Sequence, residues 1–224
     1  YSIATQLSGS DGRIDTRSVI LTAGSVVKTY DGSTSYAVTQ ADLDALSLQL
    51  VPGDRVTAAQ LAFADKNVSR AGNGTVLSDK TVTLNSVTLN DGNSGGNYSL
   101  TLQGNQTSTI NPKTLQAAGA VADKVYDGTR LATLGDLSGS GVVAGDVVSF
   151  QASSALFDSK NVLRDGGGQV LDRMVTVSGL TLGGPQAGNY DLSSGSFTTQ
   201  AKILPLELYV EASAQNKTDR KSVV

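Results

Sequence analysis

Lys124-Val125-Tyr126-Asp127-Gly128-Thr129 has a near copy upstream, Lys28-Thr29-Tyr30-Asp31-Gly32-Ser33. Each copy opens a block, and the same landmarks follow in the same order. A Gly-Asp pair comes first, Gly53-Asp54 or Gly145-Asp146. A Phe then leads into Lys-Asn-Val: Phe63 with Lys66-Asn67-Val68, and Phe157 with Lys160-Asn161-Val162. An alternating apolar run follows at 82–89 and at 175–182, then Gly96-Asn97-Tyr98 or Gly188-Asn189-Tyr190. The blocks close with Ile110-Asn111-Pro112-Lys113-Thr114-Leu115 and Ile203-Leu204-Pro205-Leu206-Glu207-Leu208. Tyr30 and Tyr126 lie 96 residues apart, Tyr98 and Tyr190 92. Ordered landmarks at a near-constant period are the mark of a tandem repeat.

The flanks fit the same frame. Tyr1 stands before Tyr30 much as Tyr98 stands before Tyr126, so residues 1–20 read as the end of a preceding module. Two modules follow, at 21–115 and 116–208, each of a common domain size. Residues 209–224 read as a linker or the start of a next module. Gln215-Asn216-Lys217-Thr218-Asp219 falls where another Tyr-Asp-Gly is due, in degraded form. The expectation is a stretch of a longer array.

Composition narrows the chemistry. The chain has 224 residues, no Trp and only 5% aromatics, so its core must rest on Val, Leu, Ile and Ala with a few Tyr and Phe anchors. Twenty-five Gly, with many Ser, Thr, Asn and Asp, favour short strands joined by tight turns. A net charge of −3 carries no clustered Lys and Arg, which argues against nucleic acid as a partner. No apolar run is long enough to expect membrane insertion. Without Cys or His, thiol chemistry, cysteine zinc sites, disulfides and imidazole bases are excluded. No carboxylate pair recurs as a glycosidase would need. The expectation is no enzyme, no cofactor and no metal.

Residues 17–23, 56–63, 81–89, 147–157, 174–182, 107–115 and 197–208 read as strands, and Asn97-Tyr98 and Asn189-Tyr190 start two more. Pro112 and Pro205 suit module boundaries, because proline cannot donate to a ladder. Residues 40–50 are ambiguous. Leu46, Leu48 and Leu50 alternate as in a strand, which is favoured, while Ala41 to Leu46 allow a short helix capped by Thr39. Met174 reads as core filler. The fold class is all-β: two tandem small β modules, each an immunoglobulin-like sandwich or β-grasp-like sheet, in an elongated array.

The residues singled out by recurrence are Tyr30, Asp31, Gly32, Lys66, Asn67 and Tyr98, with Tyr126, Asp127, Gly128, Lys160, Asn161 and Tyr190. Asp-Gly is turn chemistry: Asp bonds amides two residues on, and Gly tolerates positive φ. A calcium loop needs several oxygen ligands at short spacing, and no D-x-D-x-D pattern occurs. Tyrosine just past a turn, bonded back to the backbone, is a device of sandwich folds. Lys66 or Lys160 could cross-link to a distant Asn beside a buried carboxylate, but not to Asn67 or Asn161, since neighbouring strand side chains face opposite ways. Sequons at Asn67, Asn73, Asn97, Asn105 and Asn216 do not recur between blocks and read as chance.

Together the landmarks resemble YDG-type repeat modules, related to the MBG modules of bacterial surface proteins. The carriers are Tyr30-Asp31-Gly32, Lys66-Asn67-Val68, Gly96-Asn97-Tyr98 and their counterparts Tyr126-Asp127-Gly128, Lys160-Asn161-Val162 and Gly188-Asn189-Tyr190. Departures are Asp158-Ser159 before Lys160, the longer 33–52 segment, and the degraded stretch at 216–220. The resemblance implies a stalk or spacer segment of a large Gram-negative filamentous-haemagglutinin-like adhesin, exported by two-partner secretion to the cell surface and supporting adhesion or biofilm. The implied partners are neighbouring modules of the same chain. The alternatives are a module that binds a glycan or host surface protein through loops 33–52 and 91–97, or a non-catalytic domain of a polysaccharide-processing enzyme.

Overall fold

The structure is a computed structural model that describes residues 14–213. Tyr1 and the 215–219 stretch lie outside the described residues. The class is all-β, with one short α-helix among the described residues. Its packing divides into two compact units.

The first unit comprises, among the described residues, 14–116 together with 139–150 and 182–193. Its main sheet is built on Arg55–Phe63 (β3) and Lys80–Asn90 (β4), which pair antiparallel. Asn105–Asn111 (β6) follows antiparallel to β4, and Val27–Thr29 (β2) lies parallel to β6. The order is β2-β6-β4-β3. Val56 and Leu61 are both buried although an odd number of residues apart. Irregularities in the β3–β4 register, at Val56/Ala58 and Gln60/Leu61, let the strand switch faces. Arg17–Thr22 (β1) pairs parallel with Tyr98–Gln103 (β5), Arg17 opposite Tyr98. Leu21, Tyr30, Phe63, Val82 and Ile110 close the core.

The 40–50 segment departs from the strand reading. Gln40–Ser47 (α1) is a helix. The Thr39 hydroxyl accepts from Asp42 N, and the Asp42 carboxylate accepts from Thr39 N. This capping box satisfies two amides that a bare helix start would orphan. Leu43, Leu46 and Leu50 then share the face toward the core, while Leu48 is left 87% exposed. The 46–48–50 alternation is therefore incidental, and the 43–46–50 spacing decides.

The second unit comprises, among the described residues, 117–138, 151–181 and 194–213. Ser154–Phe157 (β11) pairs antiparallel with Asp172–Ser178 (β12), and β12 antiparallel with Ser196–Leu204 (β15). Lys124–Val125 (β8) lies parallel to β15. The order β11-β12-β15-β8 repeats β3-β4-β6-β2 strand for strand, with the same orientations. Phe157, Val175, Val177 and Ile203 are buried where Phe63, Val82, Leu84 and Ile110 are buried in the first unit.

Three sequence expectations need correction here. The 174–182 run is not one strand: β12 stops at Ser178, because Gly179 turns the backbone at φ 67°, and a short strand, Thr181–Gly183 (β13), resumes. The 147–157 run is likewise two pieces, Ser149–Gln151 (β10) and β11. Met174 is 51% exposed on β12, because Val175 and Val177 take the core-facing positions.

Lys113–Val121 (β7) and Leu134–Ser140 (β9) complete the described strands with Tyr190–Leu192 (β14), in the order β14-β7-β9. β14 runs parallel to the start of β7, Tyr190 opposite Lys113. The units of packing do not coincide with the contiguous blocks 21–115 and 116–208. The Gly-Asp and Gly-Asn-Tyr landmarks of the second block fall in 139–150 and 182–193, inside the first unit.

Candidate functional site

Both Tyr-Asp-Gly turns are built the same way. The Asp31 carboxylate accepts from Ser33 N at 2.9 Å, and that of Asp127 from Thr129 N at 2.8 Å. Gly32 and Gly128 take φ 81° and 78°, which side chains avoid. Each turn is clamped by the lysine that opens its motif. Lys28 Nζ donates to Asp31 Oδ1 at 2.7 Å and to the carbonyl oxygens of Ser33 and Ser35 at 3.1 and 2.7 Å. Lys124 Nζ donates to Asp127 Oδ1 at 2.7 Å and to the carbonyl oxygens of Thr129 and Leu131 at 3.0 and 2.9 Å. Each ammonium also sits over a phenyl ring, Phe63 at 5.9 Å or Phe157 at 5.7 Å. The position a cation would take against each carboxylate is thus filled by a lysine. The Asp127 carboxyl is held down to about 2 by the Lys124 ammonium, then by the Thr129 amide and hydroxyl. Burial raises the Asp31 carboxyl, but the Lys28 and Ser33 bonds outweigh it and leave it lowered.

Each Gly-Asn-Tyr tyrosine reaches back to its own Gly-Asp turn. The Tyr98 hydroxyl accepts from Val51 N and donates to Asp54. The Tyr190 hydroxyl accepts from Val143 N at 2.9 Å and donates to Asp146 Oδ2 at 2.6 Å.

The second of these pairs takes in a third member. Tyr30, 1% exposed, donates its hydroxyl to the same Asp146 Oδ2 at 2.8 Å. Its ring meets that of Tyr190 edge to face, with centroids 5.3 Å apart. Beside it, the buried Asn189 accepts from Val68 N at 2.9 Å and donates its amide to Asn67 Oδ1 at 3.1 Å. Arg70 donates to the carbonyl oxygens of Gly188 and Tyr190 and pairs with Asp191 at 3.0 Å. All these residues lie in the first unit. The Tyr-Asp-Gly and Lys-Asn-Val landmarks of one block therefore grip the Gly-Asp and Gly-Asn-Tyr landmarks of the next.

Of the residues singled out by recurrence, Tyr30, Asn67 and Tyr190 meet in this clasp. Tyr98 stands apart with Asp54. Tyr126, Asp127, Gly128 and Asn161 lie in the second unit. Lys66 and Lys160 are exposed, so neither has the buried carboxylate a Lys–Asn cross-link needs. Recurrence alone left out Lys28, Lys124, Asp54, Asp146 and Arg70 as site residues.

The clasp makes a pH prediction. Burial first, and the Asp146 hydrogen bond second, push the Tyr30 phenol from 10.0 up to about 12. Tyr190 moves the same way, for the same two leading causes. The fold thus holds both tyrosines neutral. Stability from this source is complete below pH 10 and is lost as pH rises from 10 through 12. The urea midpoint should fall across that window, and Tyr30→Phe should flatten part of the fall.

Two loops were candidates for ligand binding. The 91–97 loop is closed on itself: Asp91 accepts from the amides of Asn93, Gly95 and Asn97. Beside the end of α1 lies an open groove of about 380 Å³, lined by Leu48, Leu50, Val51, Pro52 and Asp54 among others.

Comparison with known families places a YDG domain at residues 111–199. No curated protein and no solved structure matches the chain.

Proposed function

We propose that this chain is a structural segment of a secreted or cell-surface bacterial adhesin: tandem small β modules, sandwich or β-grasp-like, stacked in an elongated array that spaces a binding tip from the cell. One observation carries the reading. Three of the recurrent polar residues, Tyr30, Asn67 and Tyr190, are spent on joining one block to the next through Asp146 and Asn189, and not on an open pocket. The YDG domain at 111–199 and the repeated strand order support it. On this reading the partners are neighbouring modules, the setting is extracellular, and the chain has no catalytic role of its own. Adhesion and biofilm formation follow as consequences of projection.

Small-angle scattering of the 224-residue protein tests the spacer role. An elongated profile, with no saturable binding on glycan and matrix-protein arrays, is the expected result. A compact profile would overturn it. The groove beside α1 favours one other reading, a binding module, since the 33–52 segment is where the blocks differ most. Saturable binding lost on deleting 36–50 would select that reading instead.

A further inference from the structure

The clasp around Tyr30 has a twin in the second unit, and the twin is open among the described residues. Tyr126 N donates to Leu204 O at 2.8 Å, as Tyr30 N donates to Asn111 O at 2.8 Å, so the two tyrosines hold equivalent backbone positions. Yet Tyr30 is 1% exposed, whereas Tyr126 is half-buried and its hydroxyl has no partner among the described residues. A Cβ placed on Gly32 would lie 2.7 Å from Val143, while one placed on Gly128 would meet nothing within 4 Å. Arg164 repeats the inward bond of Arg70, to Gly168 O at 2.6 Å against Gly74 O at 3.0 Å. Among the described residues it has no counterpart of the outward bonds that Arg70 makes to Gly188, Tyr190 and Asp191. Val162 N, the counterpart of Val68 N, likewise has no such acceptor among the described residues, where Val68 N has Asn189.

The segment that leaves this face is unpaired too. In the first unit Lys113 to Leu115 pair with β14 and Leu115 is fully buried. The equivalent Leu206, Glu207 and Leu208 have no strand partner among the described residues, and Leu206 and Leu208 are 62% and 83% exposed. Two exposed leucines so close together leave apolar surface bare.

We propose that the face formed by Tyr126, Gly128, Val162 and Arg164 is a docking site for a further module of the same type, joined in series through 206–208. The incoming module supplies what residues 143–146 and 187–191 supply to Tyr30. An aspartate accepts from the Tyr126 hydroxyl, an asparagine caps Val162 N, backbone carbonyls meet Arg164, and a Tyr-x-Leu strand pairs with 206–208. A second copy of the chain fits less well. Its own Tyr98–Gln103 strand already pairs with Arg17–Thr22 and leaves no edge there for 206–208. The proposal shares the clasp with the stalk reading, but glycan binding by the chain would sink that reading and leave this one standing.

Amide hydrogen exchange tests it. In the 224-residue protein, Val162 should exchange at least ten-fold faster than Val68. Equal protection, or protection of Val162 that grows with protein concentration, would overturn the proposal, the latter by placing a second copy on the face. Extending residues 1–208 with a second copy of 116–208 should then slow Val162 at least ten-fold. Asp146→Ala made only in the appended copy should reverse much of that gain. A folded appended module that leaves Val162 and Tyr126 unchanged would refute the docking site. If the extension does not fold, the comparison of Val162 with Val68 in the unextended protein still decides.

Discussion

Asp146→Ala is expected to destabilise the first unit by about 2–6 kcal/mol, because it removes the acceptor of two buried tyrosine hydroxyls at once and each buried donor left without one costs about 1–3 kcal/mol. Asp146 Oδ2 takes both the Tyr30 and the Tyr190 hydroxyl, and Tyr30 has no route to water. Asp54→Ala is the internal control, since Asp54 takes the Tyr98 hydroxyl alone. Both lie in the first unit, so their costs are compared within the same packing unit. The Asp146 change should cost about twice as much. Urea unfolding followed by far-ultraviolet circular dichroism measures both. Tyr30→Phe made together with Asp146→Ala should cost less than the sum of the two, because the second change removes a group the first has already orphaned. Strict additivity, or an Asp146 cost no larger than that of Asp54, would show that the carboxylate does not bridge the blocks.

That bridge shows what recurrence can and cannot reveal. Tyr30, Asn67 and Tyr190 stand out in the sequence because each has a counterpart in the other block. Their meeting does not stand out, because Tyr30 finds its partner in the following block, at Asp146, and not in its own at Asp54. A pattern that repeats along the chain names the pieces and leaves open whether each joins its own copy or the next. Arg70 and Arg164 did leave a trace, since each stands four residues after a Lys-Asn lysine. The trace reads as a surface charge until Asp191 and the Gly188 carbonyl are placed beside it. The helix at Gln40–Ser47 was legible in Thr39 and Asp42, three residues apart, but the louder alternation of Leu46, Leu48 and Leu50 masked it. The four-stranded order was legible only as a set of strands, because parallel pairing of β2 with β6 and of β8 with β15 joins residues far apart in sequence. Exposed positions such as Lys66 and Lys160 recur without a structural role. The Asp-Gly turn beginning at Asp31 recurs for a reason the sequence does carry, because the turn demands those two residues locally.

The lysine that opens each motif should prove as costly to lose as its apolar neighbours are to trim. Lys28→Met and Lys124→Met keep most of the stem and remove the ammonium, and each is expected to cost its unit about 1–3 kcal/mol. The lysine side chains are only 9% and 12% exposed, while Asp31 and Asp127 are each 54% exposed. The carboxylates can therefore return to water. The carbonyl oxygens of Ser33 and Ser35, or of Thr129 and Leu131, lose a charged donor that no water replaces as well. An ammonium has three hydrogens, and the turn offers it a carboxylate and two carbonyls converging on one point. The planar guanidinium of Lys28→Arg cannot place its donors on that point, so arginine should recover only part of the loss. Asp127 gives a second readout. Its carboxyl lies near 2, lowered first by Lys124, so the stability tied to it is present above 3.8 and lost as pH falls from 3.8 through 2. In Lys124→Met the carboxyl should climb toward 3.8 in an NMR titration, and the acid limb of the stability curve should flatten. If Asp127 stays near 2 and the unit keeps its stability, the Thr129 amide alone holds the turn, and the lysine at the head of the motif needs another explanation.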